Sequence, residues 1–230
     1  MRKTTALFVA LAGCLAVAST SMATLPCAAN SSCAIEVENQ LPCTNTDLRW
    51  CPQGDWDHII IRVTVRNCLD NPLDSCDIRL DLSGIGDPQD EIGSPDGISI
   101  CGSSSLTQMS DANGAVEFTL TGGGSGRFVL DWIVTAECAV PEVELCSNSD
   151  TLCAKSPDFT GNLIVNFWDT FEYLPQLQAT VGWSGDFNSG VGTCDNLVTF
   201  WDTFDYLPHL QAVHQCTGFY LTPGTLGDCP

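Results

Sequence analysis

From His58 to Cys146 short runs of apolar positions recur with a period of two, not with the 3.6-residue period of a helix, whereas residues 24–57 are irregular apart from Ala34–Glu38. Asp77–Ser83 (DIRLDLS) is the cleanest stretch: Ile78, Leu80 and Leu82 face one way, with Asp77, Arg79 and Asp81 opposite. His58–Asn67 (HIIIRVTVRN) is β-branched and alternates after its opening isoleucines. The same reasoning predicts short strands at Ala34–Glu38, Gly97–Cys101, Ser105–Met109, Ala115–Thr121, Arg127–Cys138 and Glu142–Cys146. Ser110–Gly114 reads as a hairpin loop whose Asn-Gly supplies positive φ, and Gly122–Gly126 as a second turn. Strands this short and evenly spaced, with no helical period between Glu36 and Asp150, predict an antiparallel β-sandwich over residues 24–150.

The first 23 residues have a different texture. Two positive charges precede an apolar run that closes on Ser21-Met22-Ala23, the layout of a secretory signal peptide. Leu11-Ala12-Gly13-Cys14 offers an alternative, a lipoprotein anchored through Cys14. Cleavage after Ala23 leaves 13 cysteines: Cys27, Cys33, Cys43, Cys51, Cys68, Cys76, Cys101, Cys138, Cys146, Cys153, Cys194, Cys216 and Cys229. They form no C-x-x-C pair, so in an exported chain they read as structural disulfides. The count is odd, which leaves one thiol over or commits it to a bridge with another chain. No later stretch is long and apolar enough to predict a membrane span.

After Lys155 the chain contains no Lys or Arg but eight acids, and it repeats itself. Phe167–Ala179 (FWDTFEYLPQLQA) and Phe200–Ala212 (FWDTFDYLPHLQA) lie 33 residues apart and agree at 11 of 13 positions. Each copy follows an Asp-, Asn- and Gly-rich loop. The first loop runs from Asp158 to Asp169 and places oxygen donors at positions 1, 3, 5 and 12: Asp158, Thr160, Asn162 and Asp169. Ile164 would add a carbonyl at position 7, and Val165 is the apolar anchor at 8. Alternating oxygens on a 12-residue loop are what a hard cation such as calcium requires. Leu163 stands at position 6, where that pattern has glycine. The second loop offers Thr193, Asp195, Asp202 and the Leu197 carbonyl, and an expansion brings in Asp186 and Asn188, with Cys194 inside it. Pro175 and Pro208 are expected to end each helix or open a new turn after it. The spacing of Phe167, Trp168, Phe171 and Leu174 predicts an inward face forming a core between the repeats; the alternative is partner recognition. His209 and His214 read as surface residues.

Paired calcium loops ending in Asp, each followed by a helix, resemble a type I dockerin, and the resemblance covers Ser156 to about Cys216. It implies a small α-helical C-terminal domain of EF-hand-like loop–helix repeats (residues 154–216, with 217–230 as a tail). It also implies calcium as cofactor and a cohesin-like protein partner, within a polysaccharide-degrading or cell-surface assembly. The family's recognition positions fall on Phe167, Trp168, Phe200 and Trp201. Separately, SDANGAVEFTLTGGGSG resembles the hairpin of invasin-type bacterial Ig-like domains, over residues 58–138.

Charge narrows the functional classes. Loss of Arg2 and Lys3 with the leader leaves six basic residues against 28 acidic ones, a balance that repels phosphate backbones. Asp55, Asp57 and His58 cluster without a serine motif, and Gly182-Trp183-Ser184-Gly185 lacks the spacing of a nucleophile elbow. The expectation is therefore a non-catalytic, secreted interaction protein. Two alternatives stand beside it: a structural adhesin or envelope protein without metal dependence, and a small glycan-active enzyme.

Overall fold

The computed structural model describes residues 24–38, 47–54, 56–82, 98–180, 185–187, 197–212, 216 and 218–221. The signal-peptide and lipoprotein readings of residues 1–23 lie outside them. The described strands are β1 (Ser32–Glu38), β2 (Asp47–Arg49), β3 (His58–Thr64), β4 (Asp77–Leu82), β5 (Ile98–Cys101), β6 (Ser105–Met109), β7 (Ala115–Leu120), β8 (Gly122–Gly123), β9 (Gly126–Ala136), β10 (Val143–Lys155) and β11 (Gly218–Leu221). Two helices, α1 (Phe167–Ala179) and α2 (Phe200–Ala212), stand between β10 and β11.

One sheet has the order β1-β3-β7 and a second β2-β10-β9-β4-β6. Their inner faces share a core. Ile59, Ile61 and Val63 of β3 and Val116, Phe118 and Leu120 of β7 meet Ile78 and Leu80 of β4 and Leu130, Trp132 and Val134 of β9. This is a β-sandwich, built by the alternation of strands with one wet and one dry face. Asp111 closes the β6–β7 hairpin by accepting N–H bonds from Asn113 and Ala115, with Gly114 at φ +74°.

Disulfides tie the sandwich together. Cys27–Cys68, Cys33–Cys146, Cys76–Cys138 and Cys101–Cys216 are bridged, and Cys153 is also disulfide-bonded. Cys43, Cys194 and Cys229 lie outside the described residues. Cys51 is fully buried, with Sγ 3.4 Å from Nδ1 of His209.

The expectation of a small α-helical C-terminal domain is overturned. The chain is mainly β, and among the described residues the only helices are two of 13 residues each. They do not close a core of their own. Their buried side chains, Tyr173 and Tyr206, join Phe159, Val165, Phe187 and Val198, and this cluster is completed by Cys51 with Trp56 packed against it, from before β3. The strand that leads into the segment, β10, extends through Lys155 and pairs with β9 and β2. Beyond α2, β11 pairs with β5, which in turn pairs with β8, and Cys216 is bonded to Cys101. Each helix buries one tyrosine in this cluster, and the loops before the helices, with Cys51 and Trp56, supply the rest.

Candidate functional site

The first loop leaves β10 at Lys155 and turns tightly before α1. Asp158 and Asp169, its first and last positions, are both fully buried. Oδ1 of Asp158 accepts the Asn162 N–H (3.1 Å) and Oδ2 the Leu163 N–H (2.8 Å). Oδ1 of Asp169 accepts the Thr160 N–H (3.0 Å) and Oδ2 the Asn166 N–H (2.7 Å). The Thr160 hydroxyl stands 3.3 Å from Asp158 Oδ1 and 3.0 Å from Asp169 Oδ1. A hydroxyl has one hydrogen, so it serves one of these oxygens and turns a lone pair to the other. Burial, with the Asp169 charge beside it, pushes the Asp158 carboxyl up to about 7; burial also raises Asp169.

The loop's geometry accommodates the residue that breaks the expected pattern. Leu163 takes φ +64°, the left-handed conformation that glycine adopts without strain, and its side chain is buried. Asn162 Oδ1 accepts the Ile164 N–H (2.9 Å), and the Ile164 carbonyl accepts from Asn166 Nδ2 (3.3 Å). The oxygens of Asp158, Thr160 and Asp169 are thus held together, and every donor in the set is hard. That chemistry suits calcium or another hard cation, which would relieve the repulsion between two buried carboxylates. Among the described residues no group of three or more His, Cys, Asp or Glu side chains could hold a metal, so neutral oxygens would have to complete the shell.

Asp169 and Asp202 have a second role that the sequence reading missed. Asn166 caps α1 by accepting the Trp168 N–H (2.8 Å), and Asp169 reaches back to the Asn166 N–H, a capping box. At α2, the Thr199 hydroxyl accepts the Trp201 N–H (3.2 Å) and Asp202 Oδ2 accepts the Thr199 N–H (2.7 Å). The Asn/Thr-x-x-Asp spacing was the available signal. Asp202 is fully buried, and its Oδ1 has no hydrogen-bond partner among the described residues. Pro175 and Pro208 lie inside α1 and α2 and do not end them.

Of the second loop's other donors, Asn188, Thr193 and Asp195 lie outside the described residues. Asp186 is buried with Oδ2 3.5 Å from Nζ of Lys155, itself fully buried. Beside this pair, Arg49 donates to the Phe187 carbonyl (3.1 Å) and its guanidinium lies 5.5 Å from the Trp56 ring centroid. Burial lowers the Arg49 pKa and raises that of Asp57, whose Oδ2 accepts the Arg49 N–H (2.9 Å). Leu197 is exposed. His209, expected at the surface, is buried, its ring edge-on to Trp56 with centroids 4.4 Å apart.

The helices pack with their aromatic stripe reversed from expectation. Phe167 and Trp168 are 64% and 67% exposed, Phe200 and Trp201 66% and 63%, and Phe171, Leu174, Phe204 and Leu207 are exposed too. The inward contacts are Tyr173 against Tyr206 (centroids 4.7 Å apart), with reciprocal bonds Thr170–Tyr206 (2.9 Å) and Tyr173–Thr203 (2.8 Å). Shifting each residue by the 33-residue repeat turns one of these bonds into the other, so the helices are equivalent about their contact. Hydrogen-bonded Tyr and Thr won the interface because phenol and hydroxyl satisfy one another there, leaving the purely apolar face outside.

No protein-family model matches the chain, and no curated protein matches it.

Proposed function

We propose that this is a secreted, non-catalytic interaction protein whose repeated loop–helix segment, carried on a disulfide-bonded β-sandwich, binds calcium and docks to a cohesin-like protein partner. The observation that carries the reading is the outward aromatic face on both copies: Phe167, Trp168 and Phe171, then Phe200, Trp201 and Phe204. Contiguous exposed aromatics of this size are a docking feature and a solubility cost otherwise. Rings within each cluster meet edge-on or tilted. Asp158, Thr160, Asn162, Asp169 and the Ile164 carbonyl would hold the ion. Calcium supplies the positive charge that this cation-free stretch of chain lacks, and the loop residues orient α1 through the Asn166–Asp169 cap.

Calorimetric calcium titration of the chain from residue 24 onward tests the metal half. Asp158→Ala with Asp169→Ala should remove one site; unchanged stoichiometry sinks the assignment. Surface plasmon resonance against recombinant cohesin domains tests the docking half. Binding is expected in calcium and not in EDTA, and Trp168→Ala with Trp201→Ala should weaken it by about 30-fold, the scale of an interface hot spot. A second reading is favoured by the contacts of α2, through His209, with Cys51 and Trp56, and by the one cluster that these share with both helices: the repeat caps the sandwich as part of an adhesin or envelope protein. It expects no heat on calcium addition and no change in helicity with EDTA.

A further inference from the structure

Gly122–Gly126 reads as a turn, but its Gly122–Ser125 part sits against the first loop. Gly124 donates its N–H to the Asp158 carbonyl (3.0 Å), and the Ser125 hydroxyl accepts the Ser156 N–H (2.9 Å). The Ser99 hydroxyl donates to the Gly161 carbonyl from β5, which pairs with β8. Trp50 Nε1 fixes the segment from below by donating to the Gly124 carbonyl (2.9 Å). Gly123 itself has no room for a side chain. A Cβ there would stand 2.9 Å from Cγ of Asp158 and 3.2 Å from its Cβ, and would overlap Oδ2.

We infer that Gly123 is a positioning residue for the Asp158 carboxylate, so that β8, the short strand between sandwich strands β7 and β9, forms one wall of the first loop's cation site. The inference rests on the calcium reading for its ion, but the positioning itself does not need one. Asp158 is pressed between the Gly123 backbone and the loop amides of Asn162 and Leu163 that it accepts. Moving the carboxylate to admit a methyl group breaks those bonds first. Residues that orient a ligand without touching the ion carry about 10- to 100-fold in metal affinity.

The test is Gly123→Ala in the chain from residue 24 onward. In EDTA, hydrogen exchange at the Asn162 and Leu163 amides should accelerate by about tenfold or more, while Ile60 and Ile61 of β3 keep their protection. In calcium, affinity should fall by about tenfold or more. If the sandwich amides also lose protection, Ser125→Ala replaces the variant; it deletes the hydroxyl that holds Ser156 and adds no atoms, and acceleration at Asn162 and Leu163 is again expected. Unchanged protection at these two amides overturns the inference, whatever calcium does. Accelerated exchange in a chain that takes up no calcium supports the positioning and removes the calcium reading alone.

Discussion

Tyr173 and Tyr206 are each 1% exposed, and burial pushes both phenols from an ordinary 10 up to about 12. The neutral phenol is the form that the fold holds, so the stability these residues contribute is present below pH 10 and lost as pH rises through about 12. Phenolate absorbance during an alkaline titration should show two of the three tyrosines ionising late and together with unfolding. Ionisation of all three near pH 10 would show that the Tyr173–Tyr206 contact is open in solution. The repeat itself was legible in the sequence, including which residues it duplicates. Which face of it turned inward was not, because helical spacing marks a stripe by hydrophobicity, whereas the contact was decided by whether Tyr and Thr could satisfy each other's hydroxyls.

Helix starts in the repeat depend on few atoms. Asn166→Ala should cost about 1 kcal/mol and Thr199→Ala about the same, since each removes the acceptor for a first-turn N–H. Urea midpoints measure this; no shift at either site would mean that Asp169 and Asp202 hold the helix starts unaided. Among the strands, β3, β4 and β7 begin where alternation places them, because each has one face in the core; β6 also begins at the expected Ser105 but meets the core only through half-buried Leu106. The predicted Glu142–Cys146 is the front of a 13-residue strand. Ser147-Asn148-Ser149 carries no apolar signal, and its extended conformation comes from the ladder with Ile133, Trp132 and Asp131 of β9. β2 and β8, at three and two residues, exist through their neighbours and leave no period to read.

At the scale of the molecule cations are few, and Arg49, Arg62, Arg66, Arg79 and Lys155 all stand against acids. Arg62 meets Glu36 and Glu117, Arg66 meets Asp70, and Arg79 meets Asp81, Glu137 and Glu142. Arg49 and Lys155 are buried with Asp57 and Asp186. Acids outnumber these cations by far, so the surface charge is negative, as the composition implied. The helical segment is tied to the rest of the chain by Cys51 and Trp56 in its buried cluster, by β11 on β5 and by Cys101–Cys216, which spans 115 residues. Replacing both cysteines by alanine should cost about 3 kcal/mol and lower the melting temperature by roughly 6–12 °C. Scanning calorimetry should show one transition before and after; two transitions in the parent chain would mean that the segment melts independently.

Local pattern alone determined the β-rich character, the position of most strands, the cysteine-based crosslinking, the acidic surface and the duplicated loop–helix unit. Each of these follows from interactions within a few residues or from composition, which a linear reading retains. Tertiary structure decided the rest: which cysteines pair, that Cys51 and Trp56 from before β3 join the cluster around α1 and α2, that the aromatic stripe faces solvent, and that Gly123 meets Asp158. These depend on segments 30 to more than 100 residues apart being brought within a few ångströms, and the free energy that selects them is buried area and satisfied hydrogen bonds summed over the whole core.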